Sequence, residues 1–223
     1  VNEILSDPRI QLAPTTHKDV TLEWDSPPTT VLIIKKRQEP GITELLKSMA
    51  IWLQEEKGIK VLVEPSVTTE LPELQPFSID DPSRYPDIVI CLGGDGTVLH
   101  ANTLFQNSMP PVMAFSLGSL GFLTPFRVRK YKQSISGVLN QCKVTLRSRL
   151  FCIVVKHVDG KEQVTRRTVL NEVVVDRGYS PYLSNLECLC DNVPITNIQA
   201  DGIIVSSTTG STAYSLSAGG SMV

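Results

Sequence analysis

Apolar residues fall first into short unbroken runs separated by helical stripes, and from residue 143 onward into strand-length runs separated by turns. Val31 to Lys36 (VLIIKK) predicts a buried strand that emerges into basic residues. Ile42, Leu45, Leu46, Met49 and Leu53 recur at helical spacing, predicting an amphipathic helix from Thr43 to Lys57 that Gly58 ends. Further strands are predicted at Lys60–Glu64, Asp87–Leu92 and Val112–Ser116, with helices at Thr97–Gln106 and around Val128, Tyr131, Ile135, Val138 and Leu139. Strands alternating with helices to about Gln141 predict a parallel, Rossmann-like sheet, in which ligands sit at the carboxyl ends of strands.

Proline and turn residues set the limits of these elements. Residues 1–28 are polar, carry Pro8, Pro14, Pro27 and Pro28, and read as an extended arm. Pro65, Pro72, Pro76, Pro82 and Pro86 mark the stretch from Pro65 to Pro86 as an irregular surface loop and a candidate lid. Past Lys143, strands Phe151–Val158 and Val164–Val175 flank an Asp159-Gly160 turn, and Leu183–Cys190 and Val193–Gln199 flank Asp191-Asn192. Gly202–Ser207 is one more strand, with a helix only after Gly210. The expected organisation is an arm (1–28), an α/β nucleotide-binding domain (29–142) and an all-β domain (143–223).

Composition narrows the chemistry by exclusion. A net charge of -2 over 223 residues argues against non-specific nucleic-acid binding, and 6% aromatics argue against a single-strand stacking platform. Five cysteines and three histidines show no zinc spacing, and a reducing compartment, the cytoplasm by default, fits the odd thiol count. Cys188 and Cys190, two apart in a strand, read as core thiols. No apolar run approaches the roughly 20 residues needed to span a bilayer, so no membrane partner is expected. The chain opens on Val1 rather than Met, and a trimmed piece is expected on that ground.

The strand Asp87–Leu92 runs into Gly93-Gly94-Asp95-Gly96-Thr97. Three glycines let backbone N–H groups approach a ligand, and Thr97 is placed to cap the next helix, whose N-terminus favours phosphate. Asp95 is the odd residue there: an anion beside a phosphate site is tolerable if it binds a metal or deprotonates an attacking hydroxyl. A second glycine turn, Leu117-Gly118-Ser119-Leu120-Gly121-Phe122, follows strand Val112–Ser116. Lys35, Lys36 and Arg37, where the first strand ends, are either phosphate-binding cations or a solvated strand end. His100 reads as structural.

GGDGT (Gly93–Thr97), LGSLGFL (Leu117–Leu123), Asn171-Glu172 and the run ADGIIVSSTTGSTAY (Ala200–Tyr214) together resemble the NAD kinase family, of the eukaryotic kind, from about Val31 onward. GGDGT alone is shared with diacylglycerol-type lipid kinases; the NE pair and GSTAY single out NAD kinase. The resemblance implies transfer of the ATP γ-phosphoryl group to the 2′-hydroxyl of the NAD adenosine ribose, giving NADP. It implies Asp95 as the catalytic residue, and Gly93, Gly94, Gly96 and Thr97 at the phosphates. Phe122 is implied against the adenine, Asn171 and Glu172 on NAD hydroxyl and adenine groups, and Asp201 near the nicotinamide part. Thr209, Thr212, Ala213 and Tyr214 are implied as the turn closing over NAD. Mg²⁺ is expected to enter with ATP, with no protein residue assigned as a metal ligand, and the complete protein is expected to be a homo-oligomer.

Two departures carry expectations. Ala200 stands where the family usually has glycine and Thr208 where it has proline, and loss of the proline frees φ and leaves the turn less preorganised. The resemblance also implies strands after the GSTAY helix, whereas the sequence stops at Val223. The β domain is therefore expected to be incomplete, and the piece poorly soluble and weak in turnover. The readings that remain beside NAD kinase are a lipid kinase sharing GGDGT and an inactive NAD-binding fragment.

Overall fold

A computed structural model describes residues 10–12, 19–140 and 142–223, which separate into two compact units, one ending at Leu146 and one spanning Arg147–Val223. The first is built on strands β3 (Thr30–Lys35), β4 (Lys60–Val63), β5 (Gln75–Pro76), β6 (Ile88–Leu92), β7 (Val112–Ser116) and β8 (Phe126–Arg127). It also contains strands β1 (Ile10–Leu12), β2 (Asp19–Trp24) and β9 (Cys142–Thr145), and helices α1 (Ile42–Lys57), α2 (Asp95–Leu104) and α3 (Tyr131–Asn140).

Among the described residues the central sheet is six-stranded and parallel, in the order β5-β4-β3-β6-β7-β8. Every residue of β6 is buried, as are Val31 to Ile34 of β3, because apolar runs of this kind need helices or loops on both faces. α1 lays Ile42, Leu46, Met49 and Leu53 into this core, and Gly58 ends it in the left-handed conformation (φ 64°) that its missing Cβ permits. From β3 the chain winds to β4 and β5 on one side, then crosses to β6, β7 and β8 on the other. The winding direction therefore reverses between β3 and β6, and the crevice at their carboxyl ends is where open α/β sheets bind ligands.

The proline-rich stretch differs from the expected loop or lid. Two 3₁₀ turns, Pro65–Thr69 and Pro82–Arg84, flank β5, which pairs with β4 at the sheet edge. Val67, Leu71, Leu74 and Phe77 are buried. Proline suits a first helical position or an edge strand, so the same residues that break longer elements here build short ones. The expected arm differs as well: β2 pairs antiparallel with β9, burying Val20 and Leu22. Residues 1–9 and 13–18 of that segment lie outside the described residues.

The second unit is β-rich, with strands β10 (Leu150–Val158), β11 (Lys161–Val169), β12 (Glu172–Asp176), β13 (Ser184–Cys190), β14 (Val193–Ala200) and β15 (Gly202–Ser206), then a single turn of helix, α4 (Tyr214–Ser217). β10 and β11 form a hairpin around Asp159 and Gly160, and β13 and β14 one around Asp191 and Asn192. All four turn residues have positive φ, the backbone that matches a two-residue hairpin to strand twist. The expected single strand Val164–Val175 is broken at Leu170-Asn171, and β12 turns away to pair with β15, Glu172 opposite Ser206. The expectation of core thiols fails too: Cys188 is half-buried and Cys190 exposed, and a bulge between Cys188 and Leu189 interrupts the alternation. Among the described residues, no helix is long and apolar enough to cross a membrane.

Candidate functional site

The GGDGT turn starts where β6 runs out. Gly93 N–H donates to the Phe115 carbonyl (3.0 Å), extending the β6–β7 ladder by one residue, and Gly94 caps α2 with its backbone alone. The helix therefore begins at Asp95, two residues before the expected start, and Thr97 is not its cap. Thr97 is instead buried inside the first turn, its hydroxyl occupying the space a Gly93 side chain would need. That is the physical reason Gly93 is a glycine. Gly94 and Gly96 are exposed, with open space around them.

Asp95 reaches from the first residue of α2 to the second glycine turn. Phe122 N–H donates to one carboxylate oxygen (3.0 Å) and Leu123 N–H to the other (2.9 Å). Gly121 N–H is held by the hydroxyl of the fully buried Thr124 (2.8 Å), and any Cβ on Gly121 would collide with the Asp95 carboxylate. The two turns form one assembly with the acid at its centre. The position at a helix N-terminus also favours the negative charge. The Phe122 ring is 76% exposed and free to stack on a ligand.

Around the sheet ends the charges are sorted. Lys35 Nζ is bound by Glu70 (2.8 Å) and Thr43 Oγ1 (2.9 Å), and the hydrogen bonds that Glu70 accepts from Lys35 and from Thr43 hold its carboxyl below the usual carboxylate range. His100, read as structural, lies 2.7 Å from the nearly buried Glu64 at the end of β4. Burial in β6 pushes the Cys91 thiol up to about 12, so it is an inert core group.

In the second unit, Asn171 sits at the break between β11 and β12. Its carbonyl accepts from Ser207 N–H (2.8 Å), and Ser207 Oγ donates to the Leu170 carbonyl (2.5 Å) and accepts from Gly210 N–H (3.2 Å). Gly210 lies flat on the Asn171 backbone, 2.7 Å from its Cα where a Cβ would stand, so only glycine fits there. The NE pair and the GSTAY run are thus one locked piece. Ser207 and Thr124 are the two residues that motif reading missed; each is a hydroxyl directly beside a glycine turn, and that neighbourhood was the available signal.

Among the described residues, three buried side-chain oxygens have no hydrogen-bond partner: Ser116 Oγ, Asn171 Oδ1 and Glu172 Oε2. Two adjacent orphaned acceptors at one strand start are costly unless a ligand donates to them. Burial raises the Glu172 carboxyl above its usual range. Of the remaining residues, Asp201 pairs with Arg177 and is mostly exposed, and Tyr214 is 55% exposed. Thr209 accepts from Arg147 (3.4 Å) and Thr212 Oγ1 donates to the Thr209 carbonyl (3.4 Å), so the turn is closed largely on itself. Ala213 follows, half-buried, at the junction with α4.

The model of the ATP-NAD kinase N-terminal domain matches residues 31–142, and that of the C-terminal domain matches residues 170–223. The chain belongs to the ATP-NAD kinase family. A rice (Oryza sativa subsp. japonica) probable NAD kinase 1 is 46% identical over 228 residues, covering 96% of this chain and 43% of the relative. A rice probable NAD kinase 2, designated chloroplastic, is 44% identical over 94% of this chain and 22% of its own length. A crystal structure of yeast NADH kinase complexed with NADH superposes with a TM-score of 0.82 at 34% identity, covering 96% of this chain and 68% of that one. The chain spans about half the length, or less, of the curated relatives it matches. Family membership leaves the lipid-kinase reading without support.

The raised Glu172 carboxyl gives a test in the absence of nucleotide. The folded state holds the proton to higher pH than the unfolded state, so this group costs stability as pH rises above the ordinary glutamate range. Glu172→Gln should melt at a higher temperature than the unaltered chain at neutral pH, with the gap closing under acid. A gap that does not change with pH would show that Glu172 is solvated or paired in the folded protein.

Proposed function

We propose that this chain is the catalytic core of an NAD kinase, moving the γ-phosphoryl group of ATP to the 2′-hydroxyl of the adenosine ribose of NAD. The observation that carries the reading is the Asp95 carboxylate, fixed by two backbone N–H groups where the two glycine turns meet. Phosphoryl transfer leaves the protein little covalent chemistry to do; alignment and charge neutralisation supply most of the rate. A carboxylate has about four acceptor sites. The two N–H bonds leave Asp95 free to take a hydroxyl proton while its direction is fixed. Asp95 is assigned to orient the ribose hydroxyl and accept its proton as the oxygen attacks the γ-phosphorus; the bond from that phosphorus to the β,γ-bridging oxygen breaks, ADP leaves with that oxygen, and the proton passes to solvent.

Gly93, Gly94 and Gly96 let the backbone approach the phosphates, at a helix N-terminus that suits them. Thr97 supports that turn from beneath. One carboxylate among backbone N–H donors fits a magnesium held mainly by phosphate oxygens, so Mg²⁺ would enter as part of the ATP substrate and neutralise phosphate charge. Asn171 and Glu172 are assigned to NAD, since their orphaned oxygens call for hydroxyl or amine donors. Phe122 is assigned to stack on adenine, Asp201 to the nicotinamide side, and Thr209, Thr212, Ala213 and Tyr214 to close on the dinucleotide. A homo-oligomer and a reducing compartment, the cytoplasm, complete the reading; the chloroplastic designation of one rice relative makes cell fractionation the check on location.

A coupled assay for NADP from ATP and NAD, run beside calorimetric NAD binding, tests this directly. NAD binding without turnover would make the chain a binding fragment instead. Asp95→Asn removes the base and turns one of its two acceptor oxygens into a donor facing a backbone N–H, so kcat should fall by about 10²–10⁴-fold, with a smaller loss of NAD affinity through the Phe122 turn. Turnover within a few-fold of the unaltered chain would remove Asp95 from the chemistry. Asn171→Ala should mainly weaken NAD binding, by about 1–3 kcal/mol. Normal NAD affinity with lost turnover would contradict that division of roles.

A further inference from the structure

Three basic residues end β3, and the structure separates their roles. Lys35 is 9% exposed and engaged by Glu70 and by Thr43 at the start of α1. Lys36 faces the other way. Its backbone N–H donates to the Leu92 carbonyl (2.8 Å), and its Cβ lies 3.1 Å from where a Gly93 Cβ would stand. The residue thus forms one wall of the crevice where the sheet reverses, with the GGDGT turn as the other wall. Its side chain is 54% exposed, and among the described residues its ammonium is held by one partner, Glu39, at 2.7 Å. Between them, Gln38 takes a left-handed backbone (φ 55°), which a residue with a Cβ adopts at a cost. Strain of this sort concentrates where a loop is shaped for a task.

Resting on the NAD kinase reading, we propose that Lys36 is a phosphate-binding residue that Glu39 holds aside until magnesium ATP draws its ammonium onto the nucleotide phosphates. Electrostatics supports the exchange. A solvent-exposed i,i+3 ion pair is worth little, whereas a triphosphate offers the ammonium several anionic oxygens in a partly enclosed crevice. Lys36 would balance the charge that Asp95 brings to the same turn. Lys35, itself nearly buried and tied to both Glu70 and Thr43, is not free to make the move.

The test uses the whole chain and reads binding of a magnesium-bound, non-hydrolysable ATP analogue by calorimetry, with KM for ATP and for NAD alongside. Lys36→Ala should weaken analogue binding about 10–100-fold. KM for NAD should stay within about two-fold of the unaltered value, since the ammonium meets phosphate and not dinucleotide. Glu39→Gln should act in the opposite sense, tightening the analogue about two- to five-fold, because it frees the lysine. The double variant should behave like Lys36→Ala alone. If Lys36→Ala and Glu39→Gln weaken binding equally, the pair is a structural clasp and the proposal fails. Unchanged analogue binding in Lys36→Ala, in a chain that still makes NADP, overturns Lys36 and leaves the kinase reading standing. An unaltered chain that binds no analogue overturns both.

Discussion

Asp95 stands on the first residue of α2 and accepts one backbone N–H from each of Phe122 and Leu123, so two turns far apart in sequence share one carboxylate. Much else in the first unit follows from that constraint. The turn after β7 must come close enough for its N–H groups to reach, which forbids a side chain at Gly121 and requires Thr124 beneath it. The turn after β6 must start the helix at Asp95, which forbids a side chain at Gly93 where Thr97 fills the space. Neither glycine has a positive φ; close approach, not conformational freedom, is what each provides. The parallel sheet supplies the scaffold, since adjacent β6 and β7 bring both turns to the same edge.

The second unit repeats this logic with different groups. Ser207 binds the backbone on either side of the β11–β12 break, and Gly210 lies against Asn171, so the hydroxyl-rich turn and the NE pair cannot shift independently. The lock uses backbone groups and leaves the Asn171 and Glu172 side-chain oxygens unsatisfied. Among the described residues Ser116 Oγ is the one other buried side-chain oxygen without a partner, and in the proposed reading a dinucleotide would supply the hydroxyl and amine donors that Asn171 and Glu172 lack.

The parallel sheet was legible because β3, β6 and β7 are short apolar runs between helical stripes, a pattern that few other architectures tolerate. The glycine turns were legible as turns because clustered glycines at the end of an apolar run mark a tight reversal. What sequence reasoning missed depends on tertiary contacts. The proline-rich stretch looked like a loop, but Val67, Leu71, Leu74 and Phe77 give it a face that the core can bury. The strand predicted through Asn171 breaks there because Ser207, more than thirty residues later in sequence, captures its carbonyl. Cys188 and Cys190 looked like core because alternation hides a bulge. Thr97 was read as a cap because its chemistry suits one, while the packing under Gly93 uses the same hydroxyl differently.

The most direct test of the account is amide hydrogen exchange at Phe122 and Leu123, compared between the unaltered chain and Asp95→Ala. If the carboxylate holds the second turn, both amides exchange slowly in the unaltered chain and become fast in the variant. The β6 amides from Ile88 to Leu92 should be unchanged, since their ladder does not involve Asp95. Equal exchange at Phe122 and Leu123 in the two proteins would show that the turns are held apart from Asp95, and the account built on that carboxylate would be wrong.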